Sequence, residues 1–403
     1  MQIVVISDAY PPMKTSGAVQ IRDLVSEFVN QGQEVTILLP DSSITTSWHV
    51  ENVEGIEIVR LKAPETKDVS YIRRAIGEYL LSFFMFRNLK KSPLKERRWD
   101  ALVWYSPSIF FGKLVRKIKS ESQCPGYLVL RDIFPEWAVD MGLLKRGLIY
   151  RYFKKVEREQ YLQADTIGVQ TPSVLNYFEK HQHGLPASVE VLNNWLSEPK
   201  TAPCCITIDE TILAGRKLFV YTGNIGVAQG MDILIDLAAE LNDDKSVGFI
   251  FVGRGSAVAH VKQRAVSYQL SNILFFDEID PVEIPSLLSE CHIGLIALDP
   301  RHKNDNIPGK FLAYMQAGLP VLATINAGND LEKLIQDSRV GKVVIDNSLQ
   351  KLIEAAKLLL EEIKSDSLVT ERCKALSAST FTTKAAASQI IHSLEKQPVP
   401  NSI

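Results

Sequence analysis

Residues 217–253 read KLFVYTGNIGVAQGMDILIDLAAELNDDKSVGFIFVG. An apolar strand, a glycine loop, an amphipathic helix and a second apolar strand follow one another, which is the order of a βαβ unit. Residues 2–40, QIVVISDAYPPMKTSGAVQIRDLVSEFVNQGQEVTILLP, have the same order near the start of the chain. In each segment the loop opens a helix at a glycine, Gly17 or Gly230. Each segment can begin a doubly wound parallel sheet, so the sequence predicts two such sheets.

Further apolar segments extend both halves. The predicted later strands are ALVWYS (101–106), GYLVLRD (126–132) and DTIGVQT (165–171) in the first half, and NILFFDEI (272–279), IGLIAL (293–298) and PVLAT (320–324) in the second. Pro, Asn and Ser are frequent and periodicity is absent in NNWLSEPKTAP, residues 193–203, which we interpret as the link between two domains.

The predicted fold class is therefore α/β, with two Rossmann-like doubly wound parallel-sheet domains facing a cleft. We expect an N-terminal domain over residues 1–195, completed by a C-terminal helix over 381–403, and a C-terminal domain over 196–380. Ligands of such sheets bind at the carboxyl ends of the strands, where the glycine loops lie.

Composition excludes several classes of protein. The chain of 403 residues has 45 Lys+Arg against 47 Asp+Glu, so it lacks the overall basic field of a nucleic-acid-binding protein. Its five cysteines have no metal-ligand spacing, and inert thiols in a reducing compartment are expected. The start of the chain lacks the basic and apolar regions of a secretory signal, and no apolar run is long enough to span a membrane. We expect a cytoplasmic protein.

Residues 306–324, NIPGKFLAYMQAGLPVLAT, contain a candidate anion site. Pro308 suits the first position of a helix, and Gly318 suits the left-handed residue that ends one. Free N–H groups at the helix start, beside Gly309 and Lys310, favour an anion. The alternative is that Lys310 is a solvated lysine of the first turn.

Neither glycine loop fits a nicotinamide-binding site. DAYPPMKTSG (8–17) is not Gly-x-Gly-x-x-Gly, and GNIGVAQG (223–230) has a different glycine spacing. Asp41, after the second strand, is the one residue in favour of a dehydrogenase.

A set of motifs in a fixed order resembles the family 4 glycosyltransferases of GT-B fold. They are PPMKTSGAVQIRDLVSEFVNQGQEVTILLP (11–40), EREQYLQADTIGVQTPSV (157–174), YTGNIGVAQGMDILIDLA (221–238), FVGRGS (251–256), DPVEIPSLLSECHIGLIAL (280–298) and AYMQAGLPVLAT (313–324). Three of the chain's stretches, GNIGVAQG, RDIFPEW (131–137) and NIPGKFLAYMQAG, resemble the branch that builds bacterial surface polysaccharides, including N-acetyl-L-fucosamine transferases.

The chain departs from the family pattern at several positions. Asn224 and Gln229 stand where the family often has an Arg and a Lys that hold the donor diphosphate. Asp305 and Ala313 stand where it often has two glutamates, and Arg131 replaces the His of its His-Asp pair.

The resemblance implies a retaining transferase that needs no metal, because cations and helix N-termini can stabilise the leaving diphosphate. The nucleotide-sugar donor is expected at Gly17, Gly223, Asn224, Gln229, Arg254, Asp305, Pro308, Gly309 and Lys310. Arg254 and Lys310 are the expected cations, and a surface turn is the alternative for Arg254.

Candidate catalytic residues follow the strand GYLVL. Asp132 and Glu136, with Arg131, are expected at a carboxyl end of the first sheet, where a carboxylate can orient or deprotonate an acceptor hydroxyl. The alternatives are that Asp132 caps a helix or pairs with Arg131, and that the leaving phosphate takes the proton.

Residues 71–98, YIRRAIGEYLLSFFMFRNLKKSPLKERR, hold eight basic and two acidic residues. Apolar side chains share one helical face of this stretch, namely Ile72, Ile76, Tyr79, Leu80 and Phe83. Such a helix can lie on an anionic membrane surface. The alternative is a helix packed on the first sheet with a solvated basic edge.

The expected function is transfer of a sugar, an N-acetylated deoxyhexosamine, from a UDP-sugar to a lipid-linked saccharide in O-antigen or capsule synthesis. The enzyme would work at the cytoplasmic face of the membrane and bind no nucleic acid. Two alternatives are a nucleotide-sugar epimerase or hydrolase of the same fold, and a non-catalytic protein that binds sugar nucleotides.

Overall fold

The computed structural model describes residues 1–13, 15–66, 69–301 and 306–397, with the backbone alone at positions 71 and 72. The chain divides into two compact units. One unit contains residues Met1–Trp195 and the chain from Thr383 onward, and the other contains Leu196–Thr382.

A mixed sheet forms the centre of the first unit. Its strands are β1 (Gln2–Ile6), β2 (Glu34–Asp41), β3 (Trp48–Val53), β4 (Ile56–Lys62), β5 (Ala101–Ser106), β6 (Gly126–Leu130), β7 (Thr166–Val169) and β8 (Ser188–Val191). Their order is β3-β4-β2-β1-β5-β6-β7-β8, and every described pair is parallel except the hairpin of β3 and β4. This edge hairpin is absent from the sequence prediction, because polar residues interrupt WHVENV and weaken its strand pattern.

Helices cover both faces of this sheet. They are α1 (Ser16–Asn30), α2 (Tyr71–Leu89), α3 (Gly112–Ser122), α4 (Glu136–Asp140), α5 (Leu148–Tyr161) and α6 (Pro172–His181). The Thr15 hydroxyl caps α1 by accepting from the Ala18 N–H (3.4 Å). One apolar core packs α2 and α3 on the sheet, and another packs α1 on the opposite face.

A wholly parallel sheet forms the centre of the second unit. Its strands are β9 (Lys217–Thr222), β10 (Val247–Val252), β11 (Ile273–Phe276), β12 (Ile293–Ala297), β13 (Val321–Thr324) and β14 (Gly341–Val344), in the order β11-β10-β9-β12-β13-β14. The central strands are buried along almost their whole length, as expected of a parallel sheet with two covered faces. The predicted pair of doubly wound α/β sheets is confirmed, with the β3–β4 hairpin as the one antiparallel pair among the described strands.

The helices of the second unit are α7 (Asp232–Glu240), α8 (Val258–Ser267), α9 (Ile284–Ser289), α10 (Gly309–Ala317), α11 (Asp330–Ser338), α12 (Leu349–Ser365) and α13 (Val369–Thr380). The last helix, α14 (Thr383–Glu395), packs against α1 of the first unit. Gly318 ends α10 with φ of 81°, as predicted, whereas Pro308 precedes the first helical residue instead of occupying it.

Strand order reverses once in each sheet, between β1 and β5 in the first unit and between β9 and β12 in the second. Connections leave in opposite directions at such a point, so a crevice forms outside the carboxyl ends of the strands. Within the described parts of the chain, no helix combines the length and the apolar character needed to cross a membrane.

Candidate active site

The loops at the reversal point of the second sheet are joined by their backbones. The loop after β9 runs from Gly223 to Gly230, and the loop after β12 begins at Leu298. The Asp299 N–H donates to the Ala228 carbonyl (2.9 Å). These two loops therefore form one edge of the crevice in which doubly wound sheets bind their ligands.

Two glycines allow the loop after β10 to lie directly on the loop after β9. A Cβ placed on Gly253 would lie 1.9 Å from the Gly223 carbonyl oxygen, and one on Gly255 would lie 2.3 Å from that of Ile225. Their φ angles of 154° and 153° are also rarely adopted by residues with side chains. The glycines of FVGRGS thus keep Arg254 beside the exposed Gly223 loop.

Asn224 and Gln229 stabilise this loop with their side chains. The Gln229 Oε1 accepts from the Asn224 Nδ2 and from the Gly226 N–H, both at 3.1 Å. Neither amide carries charge, so a diphosphate at this loop would need cations from other residues.

Lys310 lies beneath the same loop. Its ammonium group is 3.5 Å from the centre of the Tyr221 ring, and the Tyr221 hydroxyl donates to the Asn224 carbonyl (2.7 Å). Burial lowers the pKa of Lys310 to about 7. Among the described residues, no carboxylate forms an ion pair with this ammonium. Lys310 is therefore a partly buried lysine of the first turn of α10.

Other charged residues border these loops. Arg254 is largely exposed and pairs with Glu278 (3.1 Å). The buried Asp299 carboxylate holds the Arg301 guanidinium through two hydrogen bonds of 2.8 and 2.7 Å. Pro308 and Gly309 lie at the start of α10 beside Lys310, as the sequence predicts, whereas Asp305 lies outside the described residues.

In the first unit, Arg131 is buried in a polar network. Its Nη2 donates to the Gln20 Oε1 (3.0 Å) and to the Asn194 Oδ1, and its guanidinium lies 4.8 Å from the Trp195 ring centre. The Tyr105 hydroxyl also donates to Gln20 (3.0 Å). Arg131 therefore ties the end of β6 to α1 and to the segment after β8.

The carboxylates of Asp8 and Asp132 lie close enough to this network to affect the pKa of Tyr105. Burial raises the pKa of Tyr105, the Arg131 guanidinium opposes that rise, and the negative charges of Asp132 and Asp8 increase it. Asp8 follows β1 and Asp132 follows β6, so both lie at the carboxyl edge of the first sheet. Asp132 is half-buried.

Glu136 is the centre of a separate cluster. Its Oε1 accepts from the hydroxyls of Tyr150 (2.7 Å) and Tyr177 (3.4 Å), and Lys154 lies 3.2 Å away. Burial raises the pKa of Glu136, but the hydrogen bond from Tyr150 and the charge of Lys154 outweigh it, so its pKa is below the usual value. The carboxylate is thus held ionised by its own chain.

Gly17 belongs to the first unit, as the second residue of α1. A Cβ at this position would lie 3.3 Å from the Tyr105 hydroxyl oxygen. Gly17 therefore lies beside the Arg131 network, whereas the other described residues predicted to bind the donor are in the second unit.

One set of potential metal ligands is found among the described residues, formed by Cys204, Cys205 and Glu283. The Glu283 carboxylate accepts from the Cys205 N–H (2.7 Å), and its hydrogen bond with the thiol raises the pKa of Cys205. Sequence spacing did not predict this set, because Glu283 is distant from the cysteines along the chain. None of the loops at the β9/β12 reversal contributes to it.

Comparison with known proteins finds a family similarity within the second unit. Residues 216–362 match the family described as glycosyl transferases group 1. Residues 216–362 are called the group 1 domain below, after the family that they match. The match includes the loops at the strand reversal, Arg254 and Lys310.

Two curated relatives extend the similarity beyond the group 1 domain. The chain is 24% identical to the putative colanic acid biosynthesis glycosyl transferase WcaI of Escherichia coli, over 83% of this chain and 86% of WcaI. It is 27% identical to the probable glycosyltransferase WbjE of Pseudomonas aeruginosa, over 53% of this chain and 54% of WbjE. The alignment with WbjE thus spans about half the length of that relative.

Solved structures share the fold over almost the whole chain. WaaG, a glycosyltransferase involved in lipopolysaccharide biosynthesis, has a TM-score of 0.67 at 17% identity and covers 98% of this chain and 100% of its own. Anabaena HepE, in complex with UDP and glucose, has a TM-score of 0.69 at 15% identity, with the same coverage. The predicted GT-B fold is confirmed.

Several residues of the site were missed in the sequence. In the group 1 domain, the sequence pattern around Tyr221 indicates a core aromatic residue of an apolar strand. The pattern around Asp299 indicates an ordinary turn residue. In the first unit, Gln20 and Asn194 are separated by 174 positions. No local pattern identifies Tyr221, Gln20 or Asn194, because Tyr221 contacts Lys310, and Gln20 contacts Asn194, at a distance along the chain.

Proposed function

We propose that the chain is a retaining glycosyltransferase that moves a sugar from a UDP-sugar to a lipid-linked saccharide of a bacterial surface polysaccharide. The observation that carries this proposal is Lys310, a desolvated lysine without a carboxylate partner among the described residues, held next to the Gly223 loop of a group 1 domain. Such a group gains most from an anionic ligand, because the ligand replaces the missing counter-charge.

The names of similar proteins support the proposal. WbjE and WcaI are described as glycosyltransferases, WcaI in colanic acid biosynthesis. WaaG is described as involved in lipopolysaccharide biosynthesis, and HepE was solved with UDP and glucose. The UDP donor of the proposal is supported by the HepE complex, and the surface-polysaccharide acceptor by the descriptions of WcaI and WaaG.

The donor diphosphate is assigned to the second unit. Lys310 supplies positive charge, and the N–H groups at the start of α10 and in the loop from Gly223 supply hydrogen bonds. Arg254 is the second cation, which can leave Glu278 for a phosphate because exposed ion pairs are weak. These groups stabilise the leaving diphosphate without a metal.

The acceptor is assigned to the first unit. Asp132 orients the acceptor hydroxyl, and Arg131 fixes the backbone from which Asp132 extends. In the retaining reaction the leaving phosphate takes the hydroxyl proton. Glu136 is assigned a positioning role, since its oxygens already accept hydrogen bonds from its own chain. The resemblance to N-acetyl-L-fucosamine transferases makes an N-acetylated deoxyhexosamine the proposed sugar.

The lipid-linked acceptor brings the enzyme to the cytoplasmic membrane surface through residues 71–98. Helix α2 packs on the first sheet through Leu81, Met85 and Leu89, yet Ile76, Tyr79 and Phe83 are 53–56% exposed on its other side. An exposed apolar face with basic neighbours favours peripheral binding to anionic lipid.

The proposal is tested by incubating the protein with a panel of UDP-sugars, with and without a lipid-linked saccharide, in EDTA. We expect acceptor-dependent transfer with retained anomeric configuration, and its loss in Lys310→Ala. Release of free or epimerised sugar without acceptor would instead support the epimerase or hydrolase. Binding of UDP-sugar without turnover would support a non-catalytic protein, and inversion would refute the retaining reaction.

A further inference from the structure

Residues 141–149 are here called the turn between α4 and α5 and include the first two residues of α5. They expose apolar side chains to an unusual degree. Leu148 is 82% exposed, which is the highest value among the large hydrophobic residues of the described chain. Leu143 and Ile149 are 73% and 63% exposed. Apolar groups that project so far from a folded surface are characteristic of a contact with a partner or a membrane.

The charge around this turn favours an anionic partner. Residues 141–155, MGLLKRGLIYRYFKK, contain five basic residues and no acidic residue. Lys145, Arg151 and Lys155 are exposed, and none of them forms an ion pair with a described residue. A cluster of exposed leucine and isoleucine surrounded by uncompensated lysine and arginine matches the interface of an anionic bilayer.

The same surface continues to α2. Tyr152 of α5 lines one cavity together with Tyr79 of α2 and Lys113 of α3, whose ammonium is 5.0 Å from the Tyr79 ring centre. Tyr79, which is exposed on α2 together with Ile76 and Phe83, therefore lies near α5, whose first residue is Leu148. A patch built from two separate elements is wider than one helix face, as contact with a flat bilayer requires.

The turn is also fixed to the loop that carries Asp132. The Phe153 ring of α5 packs edge-on against Phe134 of that loop, at 4.9 Å between ring centres. Glu136 accepts a hydrogen bond from Tyr150 (2.7 Å) and pairs with Lys154 (3.2 Å). The start of α5, which follows the turn, is thus packed against the loop that carries Asp132.

We propose that the turn between α4 and α5 inserts Leu143, Leu148 and Ile149 into an anionic lipid bilayer and so holds the Asp132 loop at the height of the lipid headgroups. The acceptor part of this proposal rests on the proposed function, whereas lipid binding does not. The arrangement presents the polar head of a membrane-held substrate to Asp132 while its lipid chain stays in the bilayer.

Vesicle flotation tests the insertion. We expect the full chain to float with phosphatidylglycerol vesicles and not with phosphatidylcholine vesicles. The variant Leu143→Ser/Leu148→Ser/Ile149→Ser should bind at least tenfold more weakly. The matched control Leu358→Ser/Leu368→Ser removes leucines of the second unit that are 62% and 54% exposed, and should bind as the parent does. Equal flotation of the triple variant and the parent, or no flotation of the parent, would overturn the proposal.

Two further measurements separate the possible reasons for a loss. Circular dichroism and thermal unfolding establish that the triple variant is folded. If the variant dissociates a parental dimer and its lipid binding is unchanged, the patch is an interface between copies and the proposal is wrong. Transfer to a bilayer-held acceptor should fall at least tenfold in the variant, and transfer to a short-chain, water-soluble acceptor should not. Absence of transfer by the parent to both acceptors would refute the proposed function and leave the flotation result standing.

Discussion

The Lys310 ammonium lies 3.5 Å from the centre of the Tyr221 ring, and the hydroxyl of the same tyrosine holds the Asn224 carbonyl at 2.7 Å. The buried side chain of Tyr221 therefore links the Lys310 ammonium of α10 to the loop that begins at Gly223. The ring face attracts the ammonium, but it does not replace the water that the ammonium has lost, and the pKa of Lys310 stays near 7.

Donor binding should depend on pH through Lys310. The free protein has a Lys310 pKa of about 7, and a bound diphosphate raises that pKa because it favours the charged form. Affinity should therefore be highest below pH 7 and fall above it, by at most about tenfold per pH unit. Calorimetry with a UDP-sugar between pH 6 and 9 measures this. Lys310→Ala should bind about one to two decades more weakly, with no such fall, and a parent with constant affinity would contradict the assignment.

Tyr221→Phe should loosen the Gly223 loop. The change removes the hydrogen bond to the Asn224 carbonyl and keeps the ring beneath Lys310, at a cost of about 0.5–1.5 kcal/mol in the free energy of unfolding. Donor affinity should fall several-fold, while Tyr268→Phe, at an exposed tyrosine of the same unit, should change neither quantity. Stability and affinity equal to those of the parent would show that the hydroxyl does not hold the loop.

Substitutions of Arg254 and of Glu278 should have opposite effects on the affinity for the UDP-sugar. Arg254→Ala removes a cation and should weaken UDP-sugar binding by about one to two decades, since charged hydrogen bonds contribute roughly 1.5–3 kcal/mol. Glu278→Ala frees the guanidinium from its 3.1 Å partner, so affinity should stay the same or rise. Weaker binding in Glu278→Ala, with no effect of Arg254→Ala, would place the donor elsewhere.

Asp132→Asn should separate turnover from donor binding. The substitution keeps the shape of the side chain and removes the charge that orients the acceptor hydroxyl, so we expect kcat to fall by about 10²-fold. The Kd for the UDP-sugar should not change, because its proposed contacts lie in the second unit. If kcat is unaffected, Asp132 only stabilises its loop.

Glu136→Gln should act mainly on stability. The lowered pKa of Glu136 means that its ionised form stabilises the fold above its ordinary pKa of 4.5, and that this contribution disappears as pH falls through the lower folded pKa. At pH 7 the variant should lose about 1–2 kcal/mol of unfolding free energy. Urea unfolding at pH 7 and at decreasing pH should show a smaller difference in acid. A difference that grows in acid would contradict this linkage.

Local patterns in the sequence were sufficient to predict the fold. The apolar strands of residues 2–40 and 217–253, their glycine loops and the amphipathic helices are each encoded by residues close together along the chain. The end of α10 at Gly318 was predictable for the same reason, because glycine adopts a φ of 81° without the strain that a side chain would cause. The hairpin of β3 and β4 was not, because polar residues interrupt WHVENV and weaken its strand pattern.

The sequence by itself thus determined two parallel α/β sheets, the glycine turns at their carboxyl ends, and the position of Lys310 at a helix start. Only the tertiary structure decided that Lys310 is desolvated over Tyr221, that Arg131 joins Gln20 to Asn194, and that Leu148 projects from the surface. The physical reason is that burial, ion pairing and exposure depend on residues far apart along the chain. Those contacts form only when folding brings distant segments together and closes the loops between them. No local sequence pattern therefore predicts them.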